Sequence, residues 1–214
     1  MKLWLQTVVL VSLAFCLGGG ASAEETHEHE MPHGHAEQSG AAMSVAPVEP
    51  APDSIYQLES KWTRSDGSEI ELAALAGRIR VVAMVYTHCQ HACPRIIADM
   101  WRLRSEVGEV GGRVGYVLVS LDPERDDVAR LTEFAAAEEL AEGWTLLRSD
   151  EFAVRELAAV LGIRYRRVSE TDFVHSNLLT VLDRDGVVVH RQVGLGVDPK
   201  ASAAAIRELL VRSE

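Results

Sequence analysis

Two cysteines that can do chemistry stand with three residues between them, in Thr87-His88-Cys89-Gln90-His91-Ala92-Cys93-Pro94. On a helix that spacing is about one turn, so both sulfurs share a face. Cα atoms one turn apart fall in the roughly 4.4–6.8 Å window that a disulfide spans. Two chemistries fit: reversible disulfide formation, and capture of a soft metal ion, chiefly Cu(I), by two thiolates. Zinc fits less well, because it wants four ligands and the chain has no second cysteine pair. A permanent disulfide closing so small a loop would stabilise little on the chain-entropy argument. Pro94 suits the first position of a helix. That start places Cys93 beside unpaired amides and the positive end of the helix dipole, which favours its thiolate.

A third ligand separates metal binding from redox chemistry alone, and the candidates outside the N-terminal region are His88, His91, His175 and His190. His88 and His91 flank the cysteines. His190 falls in the alternating run VVVHRQV, where a surface histidine is expected. His175 lies in TDFVHSN, which reads as a polar loop. The residues alone place His175 only slightly ahead of His91.

The elements that must position these groups alternate between strand and helix. A hairpin is expected from 55–64 and 68–72, with Asp66-Gly67 as its turn. RIRVVAMVY (Arg78–Tyr86) and VGYVLVSL (Val114–Leu121) are short apolar runs rich in β-branched residues, as strands buried on both faces should be. A helix runs from Pro94 to about Val107, and Asp126 or Asp127 caps another to about Leu140. Trp144–Leu147 is a third strand; Ser149 or Asp150 starts a helix that Gly162 stops. Asn177–Asp183 and Val187–Val193 form a hairpin around Asp185-Gly186, and Asp198-Pro199 opens a last helix. This is an α/β chain: a mixed central sheet flanked by helices behind an N-terminal β-hairpin. Strand, cysteine loop, helix is the local layout of thioredoxin-like folds.

Residues 1–23 read as a secretory signal, with Lys2, an apolar stretch from Leu3 to Leu17, and Ala21-Ser22-Ala23 as the cleavage site. The stretch is shorter than the ~18–20 residues of a spanning helix, so an uncleaved anchor is the lesser reading. A lipid anchor on Cys16 is disfavoured by the bulky Phe15 before it. Removal of the signal leaves Cys89 and Cys93 as the only cysteines, in an oxidising compartment. Residues 24–52 hold four prolines and no aromatic, Lys or Arg residue, and read as a disordered linker. Its His27, His29, His33, His35, Met31 and Met43 could collect metal or do nothing beyond solvation. Residues 53–214 form the folded domain. Across 214 residues the net charge is −11, which excludes a basic footprint for nucleic acid or anionic membrane. With 47% hydrophobic residues there is enough for one core, and nothing demands more than a monomer.

Three blocks, YTHCQHACP (86–94), SLDPERD (120–126) and DFVHSN (172–177), together resemble the signatures of the Sco/SenC family over roughly residues 53–210. The resemblance implies a thioredoxin-like fold on the outer face of a membrane, tethered or exported, so that the expected location is the periplasm or the outer face of the cytoplasmic membrane. It also implies copper held by Cys89, Cys93 and His175, as Cu(I) first and Cu(II) second. Asp122 is similar to an acidic position near the family's metal, beside it or facing the partner, with ordinary turn chemistry nearly as good a reading. The implied task is delivery of Cu(I) to the CuA centre of cytochrome c oxidase or a related respiratory oxidase, or reduction of that centre's cysteines. The partner is then the oxidase's copper-site subunit or another copper carrier, with membrane contact only through that partner or an uncleaved N-terminus. The chain departs from the family at Gln90, where proline is common, and in carrying His91 between the cysteines. Two readings stand beside a copper carrier, which is not an enzyme: a periplasmic thiol–disulfide oxidoreductase acting on client cysteines, and a copper buffer working through the His/Met tail.

Overall fold

The computed structural model describes residues 50–89, 91–108, 113–140 and 142–212. The expected signal (1–23) and most of the linker (24–49) lie outside the described residues, as does Gln90. Among the described residues, no helix is long and apolar enough to cross a membrane.

A short 3-10 turn (Ile55–Gln57) leads into β1 (Lys61–Arg64) and β2 (Glu69–Glu71), and a second 3-10 turn (Leu72–Leu75) follows. The chain continues as β3 (Ile79–Val85), α1 (Ala92–Val107), β4 (Val114–Ser120), α2 (Val128–Ala137), β5 (Trp144–Arg148) and α3 (Glu151–Leu161). Then come β6 (Tyr165–Arg167), β7 (Phe173–His175), β8 (Leu178–Leu182), β9 (Val188–Val193) and α4 (Lys200–Val211). Seven strands make one sheet in the order β2-β1-β5-β4-β3-β8-β9, while β6 and β7 form a separate two-stranded ribbon.

The expected mixed sheet and flanking helices are present. β3 pairs in parallel with β4, and β4 with β5, each through a helical crossover. Every residue of β3 and β4 is buried, which is why they read as unbroken apolar runs. The hairpins β1–β2 and β8–β9 and the pairs β1–β5 and β3–β8 are antiparallel. α1 and α4 pack on each other and on β3 and β8, and so share one face of the sheet.

The cap residues behave as their chemistry requires. Asp127 accepts from the N–H of Arg130, Asp150 from that of Ala153, and Gly162 closes α3 at φ 80°. Four expectations shift. The first hairpin strand is only Lys61–Arg64, because 55–57 coils into a 3-10 turn capped by Ser54. α1 begins at Ala92 and not at Pro94, so Cys93 lies inside the first turn. α4 begins at Lys200, with Pro199 as its cap and Asp198 accepting from the Lys200 N–H at 3.0 Å. The segment around His175 is not a loop: it is β7, paired in register with β6 (Tyr165 opposite His175, Arg167 opposite Phe173).

Candidate metal centre

The topology brings the three motif blocks to one end of the sheet. β3 and β4 run in parallel with Val85 opposite Ser120, so Tyr86 and Leu121 leave the sheet side by side. The Leu121 N–H donates to the Val85 carbonyl at 2.8 Å, extending the ladder by one bond. β8 is antiparallel to β3, so its start, and β7 before it, lies at that same carboxyl end. Ligand sites of open α/β sheets favour this location, outside the carboxyl ends of parallel strands.

The loop after β3 is tied down at its first residues. The Thr87 N–H and hydroxyl donate to Asp126 at 3.1 and 2.6 Å, and the Ser120 hydroxyl donates to the same carboxylate at 2.6 Å. Asp126 is 0% exposed, so it is an internal clamp, while Asp127 caps α2. Arg130 adds a bond from Nε to the Thr87 hydroxyl at 3.0 Å. The Cys89 N–H then donates to the Tyr86 carbonyl at 3.1 Å, closing a turn over Thr87 and His88.

Both cysteines are reduced; Cys89 is half-buried and Cys93 is 0% exposed. Their acidities are opposite to the expectation that favoured a Cys93 thiolate. Burial pushes Cys93 up, well above the ordinary thiol range, and the negative charges of Cys89 and Asp126 add to the rise. For Cys89, burial alone would also raise the pKa. The main-chain N–H groups of Cys93 and His91 and contacts with the Cys93 thiol and Tyr86 hydroxyl outweigh it, and hold Cys89 below the ordinary range. The Cys93 N–H lies 3.4 Å from the Cys89 sulfur. The start of α1 therefore supports Cys89 with its amides, because Cys93 is the second residue of the helix and is buried in the core.

His175 ends β7. Its ring lies edge-on to Tyr86, centroids 6.2 Å apart, and its Nδ1 is 3.2 Å from the Ser176 carbonyl. A carbonyl only accepts, so Nδ1 carries the proton and Nε2 carries the free lone pair. That Nε2 is buried and has no hydrogen-bond partner. Burial holds His175 below the ordinary histidine pKa, against a smaller opposing effect of the Ser176 carbonyl, and so favours neutral imidazole. A neutral ring oriented by a carbonyl on one nitrogen and bare on the other has the form of a metal-ligating histidine. His175 also lines a shallow groove of about 340 Å³ with Arg164, Tyr165, Arg166, Val174 and Ser176.

The other histidines are placed differently. His88 is bound at Nδ1 to the Thr87 hydroxyl (3.3 Å) and lies 3.8 Å from Asp126. His91 is exposed at the cap of α1, and His190 is half-buried in β9 opposite Val181. Asp122 is 0% exposed and paired with Arg125 and Arg167. Among the described residues, the trio of donors lying within 4.8 Å of one another is His88, Asp122 and Asp126. Its carboxylates are already committed to Thr87, Ser120 and the two arginines, so that trio braces the loop. Cys89, Cys93 and His175 are spaced more widely than that limit, on two elements joined through Tyr86. A metal shared by all three would draw β7 toward the cysteine loop. The donor set, two sulfurs and a neutral imidazole, suits a soft ion of low coordination number.

Sequence reasoning did not single out Tyr86, Thr87 or Asp126. The signal for Asp126 was present in the doublet Asp126-Asp127, where one carboxylate suffices for a cap.

Comparison with known proteins identifies the fold and the family. The chain is 25% identical over 152 residues to the SCO1 protein homolog of Bacillus subtilis (strain 168), covering 67% of this chain and 77% of the relative. The structure of Bradyrhizobium japonicum ScoI with copper bound superposes with a TM-score of 0.60 at 22% identity, over 70% of this chain and 96% of that one. BsSco, a member of the Sco family of cytochrome c oxidase assembly proteins in which a disulfide switch was identified, superposes with a TM-score of 0.60 at 21% identity, over 76% of this chain and 92% of that one. The fold is thus the thioredoxin-like one of these structures. The SCO1/SenC profile matches residues 48–211, a span that takes in all three blocks and every strand of the sheet that gathers them, and the chain belongs to that family.

Proposed function

We propose that this chain is an exported copper carrier that holds Cu(I) between Cys89, Cys93 and His175 and passes it to the CuA centre of a respiratory oxidase. The single observation that carries this reading is His175: neutral, oriented through Nδ1, with a buried and unpartnered Nε2 beside the cysteine loop. Burial leaves an unpartnered imidazole lone pair at a cost, whereas a thiophilic ion would use it. Two thiolates and Cu(I) leave the site at net −1, and the amides at the start of α1 offset part of that charge. A partner thiolate can enter at half-buried Cys89, so transfer proceeds through shared ligands with no free ion. Asp122, held by Arg125 and Arg167 next to the clamp on Thr87, braces the loop and does not bind the ion.

Residues 1–23 act as the export signal and 24–52 as a tether to the domain beginning at 53, consistent with a family match that starts at residue 48. The working location is the periplasm or the outer face of the cytoplasmic membrane, and the working state a monomer. The test is anaerobic Cu(I) titration of the reduced chain against a strong competing chelator, with Cys89→Ala, Cys93→Ala and His175→Ala alongside. The expected result is one equivalent held by the three residues, at least tenfold weaker without His175, which is about 1.4 kcal/mol. Undiminished binding in either cysteine variant overturns the reading, and binding indifferent to His175 moves the third ligand to His88 or His91.

One observation favours thiol–disulfide exchange with client cysteines as a second reading. Cys89 is accessible and favours the thiolate while Cys93 is buried and favours the thiol, the asymmetry expected of an attacking and a resolving cysteine. It predicts turnover of a disulfide substrate that survives His175→Ala and needs no metal.

A further inference from the structure

A cleft of about 340 Å³ opens at the end of the sheet away from the cysteine loop, and the charged residues lining it are Arg64, Asp66, Arg78 and Arg80. β3, β4 and β5 begin at this end, at Ile79, Val114 and Trp144. Register explains why Arg64 and Arg80 line one cleft although their strands are not neighbours. Arg80 stands opposite Gly115, Val117 opposite Thr145, and Leu147 opposite Arg64. Alternation along β4 and β5 puts all six on one face of the sheet. Gly115 has no side chain, so that of Arg80 lies across β4.

These guanidinium groups are held in place but not neutralised. Arg80 is 8% exposed, and its Nε and Nη2 donate to the Leu75 carbonyl at 2.9 and 2.8 Å. Among the described residues no carboxylate forms an ion pair with Arg64 or Arg80. The Nε of half-buried Arg64 is itself buried and has no hydrogen-bond partner. Asp66 is committed to its own turn, where Oδ1 accepts from the Ser68 N–H and hydroxyl at 2.8 and 2.6 Å. The Thr132 hydroxyl donates to the Ser65 carbonyl at 2.6 Å and ties that turn to α2, so Arg64 sits on a fixed support. A buried cation without a counter-ion is costly, and so is a charged N–H without an acceptor.

We propose that this cleft binds a small phosphate-class oxyanion, as inorganic phosphate or the phosphate group of a small ester, between Arg64, Arg78 and Arg80. Three guanidinium groups against one carboxylate leave an excess of two positive charges, which matches a dianion better than a single carboxylate. The planar guanidinium fork presents paired N–H donors to such oxygens. The anion supplies the acceptor that Arg64 Nε lacks and the countercharge that Arg80 lacks. The site shares no residue with the cysteine loop or the ribbon and stands whether or not the chain carries copper.

The test is calorimetric titration of the metal-free full chain with inorganic phosphate and, separately, with glycerol 3-phosphate, at an ionic strength held constant with chloride. The expected result is one saturable equivalent per chain, and the tighter of the two probes identifies the free ion or the ester. Arg64→Gln should weaken it about tenfold, the worth of one charge-assisted hydrogen bond. Arg166→Gln, on the ribbon at the other end of the sheet, should bind as the parent chain does. Phosphate should also raise the urea midpoint of the parent more than that of Arg64→Gln, a readout that needs no heat of binding. No saturable binding of either probe overturns the proposal. Binding indifferent to Arg64→Gln overturns it too, as does equal weakening by Arg64→Gln and Arg166→Gln, the mark of a diffuse charge effect.

Discussion

Asp126, 39 positions further along the chain, accepts both the main-chain N–H and the hydroxyl of Thr87. The second motif block thereby holds the first: its carboxylate, buried with the Ser120 hydroxyl as a third donor, fixes where the cysteine loop leaves β3. Asp126→Ala strands three buried donors, and each unsatisfied polar group costs about 1–3 kcal/mol. The expected loss is on the order of 3 kcal/mol or more, read as a lower urea midpoint with an unchanged slope. Asp126→Asn keeps one acceptor oxygen and should lose less.

The two cysteines should be chemically distinct in the native protein. Thiolate is the reactive form, so the group with the lowered pKa reacts at lower pH than an ordinary thiol, and the raised one stays inert until higher pH. Limited alkylation of the reduced protein at neutral pH, followed by peptide mass analysis, should mark Cys89 alone. Cys93 should be marked only once denaturant opens the fold. Equal labelling of both in the native state would contradict the burial described here.

Gly115 lies opposite Arg80 on neighbouring strands, and the arginine side chain folds across it to donate to the Leu75 carbonyl from Nε and Nη2. A Cβ at Gly115 would stand 2.2 Å from an Arg80 guanidinium nitrogen. Gly115→Ala should therefore cost about 1–3 kcal/mol, the usual range for overpacking. Arg80→Ala/Gly115→Ala should recover part of that cost, which a double-mutant cycle in urea measures.

Removal of residues 24–52 tests the tail. If the Cys89–Cys93–His175 set is the carrier, the shortened chain keeps its one competitive Cu(I) equivalent and loses only weaker capacity. Loss of the tight equivalent would favour the buffer reading.

The α/β order was legible because β3 and β4 are apolar throughout and because Asp127, Asp150 and Gly162 obey local capping chemistry. The ribbon was not legible: Tyr165–Arg167 and Phe173–His175 are three residues each, too short and too polar to show a period. His175 was therefore read as a loop residue, although its motif had already marked it. The acidity of the cysteines was misread for a related reason. Pro94 suggested a helix starting at itself, and a start at Ala92 carries Cys93 into the core and turns the free amides toward Cys89. Tertiary burial decides such a case, and no spacing rule reports it.

The ribbon also bears on timing. The sulfurs belong to a loop and helix anchored in a seven-stranded sheet, whereas His175 belongs to two strands of three residues each that, among the described residues, join no other strand. Isolated two-stranded elements open at lower cost than central ones. A cargo held by all three donors would thus have one fixed jaw and one hinged jaw. The imidazole would let go first and seat last, giving hand-over a built-in sequence before any partner arrives.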